Sequence, residues 1–404
     1  MPPTPSRAFS ARALHVALAL IMLAVCAQPS SVAQDAPIPS VALLTCEDEQ
    51  VIAWLGAAGP DTIVAAIADG RRLTIHEVES ETVAPMTSVD ATEMGPVRGI
   101  ALHPDGYWVS AAQGLWLAVL GDCALRYDTV NAHVWHSWGS FTDETSWRGG
   151  IIGGGALLGP GDGTAYAVLR PETEEAASRL KREWERGPGI LGLLRLQGGE
   201  LCLEAIFSAR MDQAMALEHN TLWFVTPHLY IGAWGSGAAT ARRVTRLPIA
   251  DGDGCWRAPD LSPWVSVSGG PREPAALAFD PEGYPWVGLY DPEKQISTVY
   301  WWDTEKGWIE DTQLPSLLGD ERVASVIPIT RGRVYLCGAD GTLLVGRGDA
   351  WERVDYRRET GLRPVRGLGR AARDGADLLV TDGRVLYRLQ DAAQQDGRGE
   401  GHMR

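Results

Sequence analysis

The chain has 404 residues, 45% of them hydrophobic, and a formal net charge of −15 at pH 7. So acidic a surface repels nucleic acid and anionic lipid unless a local basic patch compensates, and no basic run occurs: Lys181, Lys294 and Lys306 are the only lysines. Beyond residue 33, no stretch is long and apolar enough to cross a bilayer as a helix.

The first segment stands apart. Arg7 and Arg12 form a basic start, Ala13 to Ala27 is apolar except for His15, and Ser31-Val32-Ala33 is a small-x-small site. That is the pattern of a secretory signal peptide spanning 1–33, too short and wrongly flanked for a spanning helix. The alternative is a lipoprotein anchored through Cys26, although Val25 stands where a small residue is needed. Either route exports the protein to the periplasm or the cell exterior. Cys46, Cys123, Cys202, Cys255 and Cys337 then remain where disulfides form. Their number is odd and no spacing matches a zinc site, so buried thiols in outer strands with at most two bridges are expected.

From Val51 onward one pattern recurs: an apolar run, a small Gly/Asp/Pro turn, and a second apolar run. The turns fall near Asp61, Gly106, Gly163, Asn220, Gly283, Gly332 and Gly375. Unit 1 runs from VIAWLG through LTIHEV to TVAPM. Unit 2 reads VRGIALH (Val97 to His103), YWVSA, LWLAV and ALRYDTV as strands a to d. Unit 3 offers TAYAVL, ILGLLRL and LCLEAIF, and unit 4 MALEHN, TLWFVT and RRVTRLPI. Unit 5 reads PAALAFD, PWVGLY, STVYWWD and WIEDTQL, and unit 6 VASVIPI, RVYLC, TLLVG and WERVDY. Unit 7 offers PVRGLGRA, DLLVT and VLYRL, then dissolves into a polar tail over 391–404 that reads as disordered. Short runs rich in Val, Leu, Trp and Tyr between such turns are strands. A strand-like period of roughly 40 to 60 residues predicts a radial β array. Unit 7 lacks a strand, and SVALLTC (Ser40 to Cys46) belongs to no unit; pairing the two closes the ring. The expected fold is therefore all-β, a seven-bladed β-propeller over 34–390 closed by an N-terminal strand, with six or eight blades as alternatives.

The stretch DPEGYPWVG (Asp280 to Gly288) resembles the D-x-x-G-x-x-W-x-G core of the propeller repeats found in two-component-regulator sensors, and ALHPDGYW resembles it less fully. The other units keep only the apolar pattern and the turn. The resemblance implies a propeller of a kind that sits outside the membrane and binds ligands or protein partners. A direct signalling role does not carry over, because the chain has neither a membrane span nor a kinase.

In such a ring the a–b and c–d turns share one face, and the b–c and d–a connections the other. The long connections are all of the second kind: Asn131 to Trp147, Pro171 to Gly189, Pro227 to Thr240, Ala258 to Pro274 and Asp291 to Ser297. Pro171 and the acids after it, closed by Gly187-Pro188, predict one short inserted helix. Loops this long are functional or disordered, and these are too aromatic for disorder. Trp135, Trp138, Trp147, Trp184, Trp234 and Trp264 are candidate ligand contacts there, since Trp joins apolar area to a polar handle.

A second candidate set sits near the starts of the first strands: Arg98, Arg148, Gln213, Glu273, Arg322 and Arg366. Guanidinium groups converging at a channel mouth suit a carboxylate, phosphate or sugar acid; the competing reading is ion pairing with the many acids. His133 and His136 make only half a metal site. DGDG (Asp251 to Gly254) lacks the later ligands of a calcium loop and reads as a turn. His103 and His219 pair with no nucleophile, and no hydrolase, P-loop or dinucleotide motif occurs. No metal or cofactor is expected. The reading that results is an exported, monomeric binding protein for a carbohydrate, a small anion or a protein. A lactonase-like hydrolase or lyase acting at the channel mouth and a purely structural scaffold are the alternatives.

Cleavage after Ala33 makes Gln34 the mature N-terminus. Intact-mass measurement of the exported protein checks this, and a lipid-modified Cys26 at its terminus overturns it.

Overall fold

The computed structural model describes residues 40–79, 81–138, 141–172, 189–209, 214–218, 221–225, 231–235, 245–246, 273–303, 305–311, 313–330, 332–347, 350–357, 362–375 and 377–390. All belong to the second of two units, Ile38–Arg404. The first described strand is β1 (Ser40–Thr45). The first sheet holds β2 (Val51–Gly59), β3 (Thr62–Ala68), β4 (Arg72–Val78) and β5 (Val83–Asp90). The second holds β6 (Val97–His103), β7 (Gly106–Ala111), β8 (Gly114–Val119) and β9 (Cys123–Tyr127). The third holds β10 (Thr129–Trp138), β11 (Phe141–Leu158), β12 (Ala165–Pro171), β13 (Gly189–Gln197) and β14 (Glu200–Ala209). The fourth holds β15 (Met215–Glu218), β16 (Thr221–Val225), β17 (Ile231–Gly235) and β18 (Thr245–Arg246). The fifth holds β19 (Glu273–Phe279), β20 (Pro285–Asp291), β21 (Ile296–Asp303) and β22 (Gly307–Glu310). The sixth, after the short helix α1 (Leu314–Leu318), holds β23 (Val323–Thr330), β24 (Arg333–Gly338), β25 (Leu343–Arg347) and β26 (Ala350–Arg353). The seventh holds β27 (Arg370–Asp374), β28 (Asp377–Thr381) and β29 (Val385–Leu389). Its fourth strand is β1, which pairs antiparallel with β29, Ala42 opposite Tyr387, as the orphan segment SVALLTC requires.

Period-two alternation in a strand normally buries one face and leaves the other wet. Here both faces are buried. Ile52 and Ile67 meet Leu379 and Leu386 of the seventh sheet, while Trp54 and Ala66 meet Ile100 and Val109 of the second. Further apolar clusters fill each later interface, from Trp108 against Leu194 between sheets two and three to Tyr335 against Val380 between six and seven. One strand of each successive sheet, the first except in the third sheet, touches the next in a closed cycle: β2, β6, β11, β15, β19, β23, β27 and back to β2. Sheets standing face to face around an axis, each with that strand inward, form a β-propeller.

The repeat motif has a physical reading at each position. Asp280 Oδ1 accepts the backbone N–H groups of Glu282 (3.0 Å) and Tyr284 (2.8 Å), holding the turn. Gly283 takes φ +87°, which a side chain disfavours. Trp286 is buried and stacks on Trp301 at 5.2 Å. Gly288 leaves room for the next sheet, since a Cβ there would lie 3.0 Å from Val323 Cγ1. In unit 2 the corresponding Trp108 is fully buried and donates to the Gly163 carbonyl across the interface (3.1 Å).

Several connections differ from expectation. Asn131 to Trp147 is not a loop: β10 and the first half of β11 pair over Thr129↔Gly150 to Trp138↔Phe141. The β-branched and aromatic residues of TVNAHVWHSW favour a strand. β10 also runs parallel to β14, Asn131 opposite Cys202, so the third sheet closes on itself. The link after Pro227 contains β17, short and glycine-rich, which the apolar pattern could not reveal. Pro171 ends a strand rather than starting a helix, and residues 173–188 lie outside the described ones. Among the described residues the helix is α1, with Pro315 in its first turn and Asp311 Oδ1 accepting the Gln313 (2.8 Å) and Leu314 (3.0 Å) amides. Cys46 and Cys337 are buried, Cys202 is half-buried and Cys123 is exposed, all as free thiols; Cys337 lies in a second strand rather than an outer one. Cys255, the segment 1–33 and the tail 391–404 lie outside the described residues.

Two predictions follow from burial. A Cβ at Gly154 would sit 2.5 Å from the Gly114 carbonyl oxygen of the second sheet. Gly154→Ala should therefore cost about 1–3 kcal/mol in denaturant unfolding, as overpacking does. Burial pushes His76 below its ordinary 6.5, and its Nδ1 is sealed without a partner. The unfolded chain takes up that proton more readily than the folded one. Stability from the neutral ring is thus present above pH 6.5 and falls as pH drops through that value toward the lower folded pKa. His76→Phe should flatten the pH dependence of the unfolding midpoint between about pH 7 and 5.

Candidate functional site

The face that carries the d–a and b–c connections is an interlocked layer. Arg384, in the b–c turn of the seventh sheet, reaches the link into β2 and donates to the carbonyls of Asp48 (2.7 Å) and Gln50 (2.6 Å). Asp382, buried beside it, accepts the Arg384 and Val385 amides at 3.0 Å each. In the sixth sheet Glu321 accepts the Asp340 amide (3.2 Å) and the Thr342 hydroxyl, and Trp351 donates its indole N–H to Asp311. Around the sixth and seventh sheets the b–c turn is thus tied to a neighbouring link by an acid or a guanidinium.

The predicted rim residues separate on this frame. Glu273 begins β19, and its Oε2 lies 3.6 Å from Arg322 Nη1 just before β23; the Arg322 guanidinium stands 5.8 Å from the Tyr290 ring. These two come together as expected of neighbouring starts. Arg98 is exposed near the start of β6, and no ion pair to it occurs among the described residues. Arg148 lies elsewhere. It stands on the half of β11 that pairs with β10, opposite Asn131, with Nη2 3.6 Å from Glu200. Asn131 donates to the same carboxylate (2.8 Å), so Arg148 is drawn to the outer strand of its sheet. Arg366 is highly exposed and pairs with Asp340 (3.5 Å). It falls in the link, because β27 starts at Arg370, six residues after the Pro364 that opens PVRGLGRA. Gln213 lies outside the described residues.

That shift exposes a residue the sequence reading missed. Arg370 opens β27, opposite Thr381, in the position assigned to Arg366. It is half-buried, and no acid pairs with it among the described residues. Burial first, and the nearby Arg322 charge, push its pKa down; Cys337 acts the other way. The guanidinium stays charged regardless. Burial holds Cys337 itself at about 12, a neutral thiol that supplies no counter-charge. The missed signal was Gly367-Leu368-Gly369, whose turn (Leu368 N–H to the Val365 carbonyl, 3.3 Å) belongs to a link and not to a strand.

Trp135, Trp138 and Trp147 lie on the β10–β11 hairpin and Trp234 on β17, with only their backbone described; His133 and His136 share that hairpin. Trp184, Trp264, His219 and Asp251 to Gly254 lie outside the described residues. His103 sits at the other face, at the end of β6, where its Nδ1 accepts the Asp105 amide (3.1 Å). Among the described residues no three His, Cys, Asp or Glu side chains gather as metal ligands, and no helix is long and apolar enough to cross a membrane.

No protein-family model matches the chain, and no curated protein matches it in sequence. Solved structures with a related backbone include YCF48 bound to D1 peptide, at 12% identity and a TM-score of 0.45, covering 88% of this chain and 97% of that one. PorZ, a surface component of the type-IX secretion system of Porphyromonas gingivalis, is 11% identical with a TM-score of 0.44, covering 86% of this chain and 48% of its own. The Cps50 (Swd1) β-propeller domain of Myceliophteria thermophila is 12% identical with a TM-score of 0.41, covering 72% and 81%. At that distance the likeness says nothing of ligand or partner.

Proposed function

We propose that the chain is an exported seven-bladed propeller, with a leader over 1–33, one domain over 34–390 and a polar tail over 391–404. Its work is to bind a small anionic ligand at the mouth of the inner strands, without catalysis. The observation that carries this reading is Arg370, a half-buried cation beside a second cation, Arg322, with no acid of its own among the described residues. A cation withdrawn from water and left without a counter-charge is costly, and an anion at the mouth offsets that cost. Glu273 beside Arg322 tempers the field and disfavours dianions over monoanions.

Calorimetric titration with acetate, citrate and inorganic phosphate tests this. Binding should weaken with ionic strength. Arg370→Ala should lower affinity at least about tenfold, the scale of a charge-assisted hydrogen bond, and Glu273→Gln should raise it. Absence of binding to all three anions, or indifference to Arg370→Ala, overturns the reading.

A further inference from the structure

Five of the inner strands share an irregularity near their starts. The register against the second strand slips between Ile52 and Trp54, Val97 and Gly99, Ile151 and Gly153, Pro274 and Ala276, and Val323 and Ser325. Each slip is a β-bulge with one extra residue: Ala53, Arg98, Ile152, Ala275 and Ala324. A bulge re-aims a side chain, because the extra residue has no partner on the neighbouring strand.

The direction of re-aiming can be read from the flanks. In a regular strand residues two apart share a face. Here they do not. Ile52 packs toward the seventh sheet and Trp54 toward the second. Val97 packs toward the first sheet, whereas a Cβ at Gly99 would meet Leu157 of the third at 2.5 Å. Val323 packs toward the fifth sheet, and Ser325 Oγ accepts the Ala371 amide of the seventh (3.2 Å). In these three strands the residue between the pair, Ala53, Arg98 or Ala324, is left to the axis, whereas Ala275 packs into the apolar cluster between the fifth and sixth sheets. Exposure agrees: Ile152 is 41% exposed next to buried Ile151 and Gly153, Arg98 is exposed, and the three alanines are intermediate.

We infer that Ala53, Ile152 and Ala324 form an aliphatic collar around the channel with Arg98 as its charged member, and that the ligand is a carboxylate carrying an aliphatic body. The inference rests on the anion-binding reading above and sharpens it. The head group meets guanidinium groups at the mouth, and the tail replaces water against Ile152, Ala53 and Ala324. Phosphate or citrate, with no apolar body, gains nothing from such a collar.

Calorimetry with acetate, butanoate, hexanoate, octanoate and inorganic phosphate, on the full protein, tests the collar. Affinity should rise by roughly threefold to fourfold per buried methylene, the usual apolar transfer increment. Ile152→Ser should flatten that rise. Arg98→Gln should weaken every carboxylate, and Ala53→Asp, which adds a negative charge to the collar, should abolish octanoate binding. Anion binding that depends on Arg370 but not on chain length overturns the collar and leaves the anion site standing. No binding by any of the five overturns both.

Discussion

The structure depends on burial of both faces of every sheet. A four-stranded antiparallel sheet in water can shelter only one face by itself. Here each is sandwiched between two others, so Trp54 and Leu55, adjacent on a single strand, belong to different cores. Such an arrangement has no natural end: whichever sheet came last would show a bare apolar face. Closing the circle removes that face, and β1 pairing with β29 completes the last sheet with a strand from the other end of the chain. The small residues Gly99 and Gly154 on inner strands, and Gly288 on the strand paired with one, follow from the same demand, since sheets that converge on an axis leave little room there.

What the sequence revealed was what local chemistry determines. The a–b turns were visible because Asp280 and Gly283 each do something only their residue type does: one accepts two amides, the other takes a positive φ. The closing strand was visible because a deficit at one end matched a surplus at the other. Strand starts were less visible. They are set by contacts between a link and the turn of another sheet, such as the Gly369 amide on the Ala339 carbonyl, and those partners lie far apart in sequence. Hence Arg366 was taken for Arg370, and Arg148 was taken for a rim residue although β11 had not yet reached its inner half. The hairpin of β10 and β11 was hidden for a related reason. Its pattern is strand-like, but a fifth strand in one sheet has no counterpart in the repeat.

Charge on the rim is organised against the background of an acidic protein. Arg366, Arg357 and Arg322 each have a carboxylate within 4 Å, namely Asp340, Asp382 and Glu273. In a chain with a net charge of −15 that is the ordinary fate of an arginine. Arg98 and Arg370 have no such carboxylate among the described residues, and both stand near the beginning of inner strands.

The clasp between β1 and β29 also governs when this molecule can finish folding. Ala42 cannot meet Tyr387 until almost the whole domain has been made, and the contact spans nearly its full length. Loop closure over such a span is slow and entropically demanding, and it comes after the cheaper contacts within each hairpin. Until then the last sheet has three strands and the ring two loose ends. A chain that cannot lock shut during synthesis is one that can be threaded through a narrow pore before it becomes a ring.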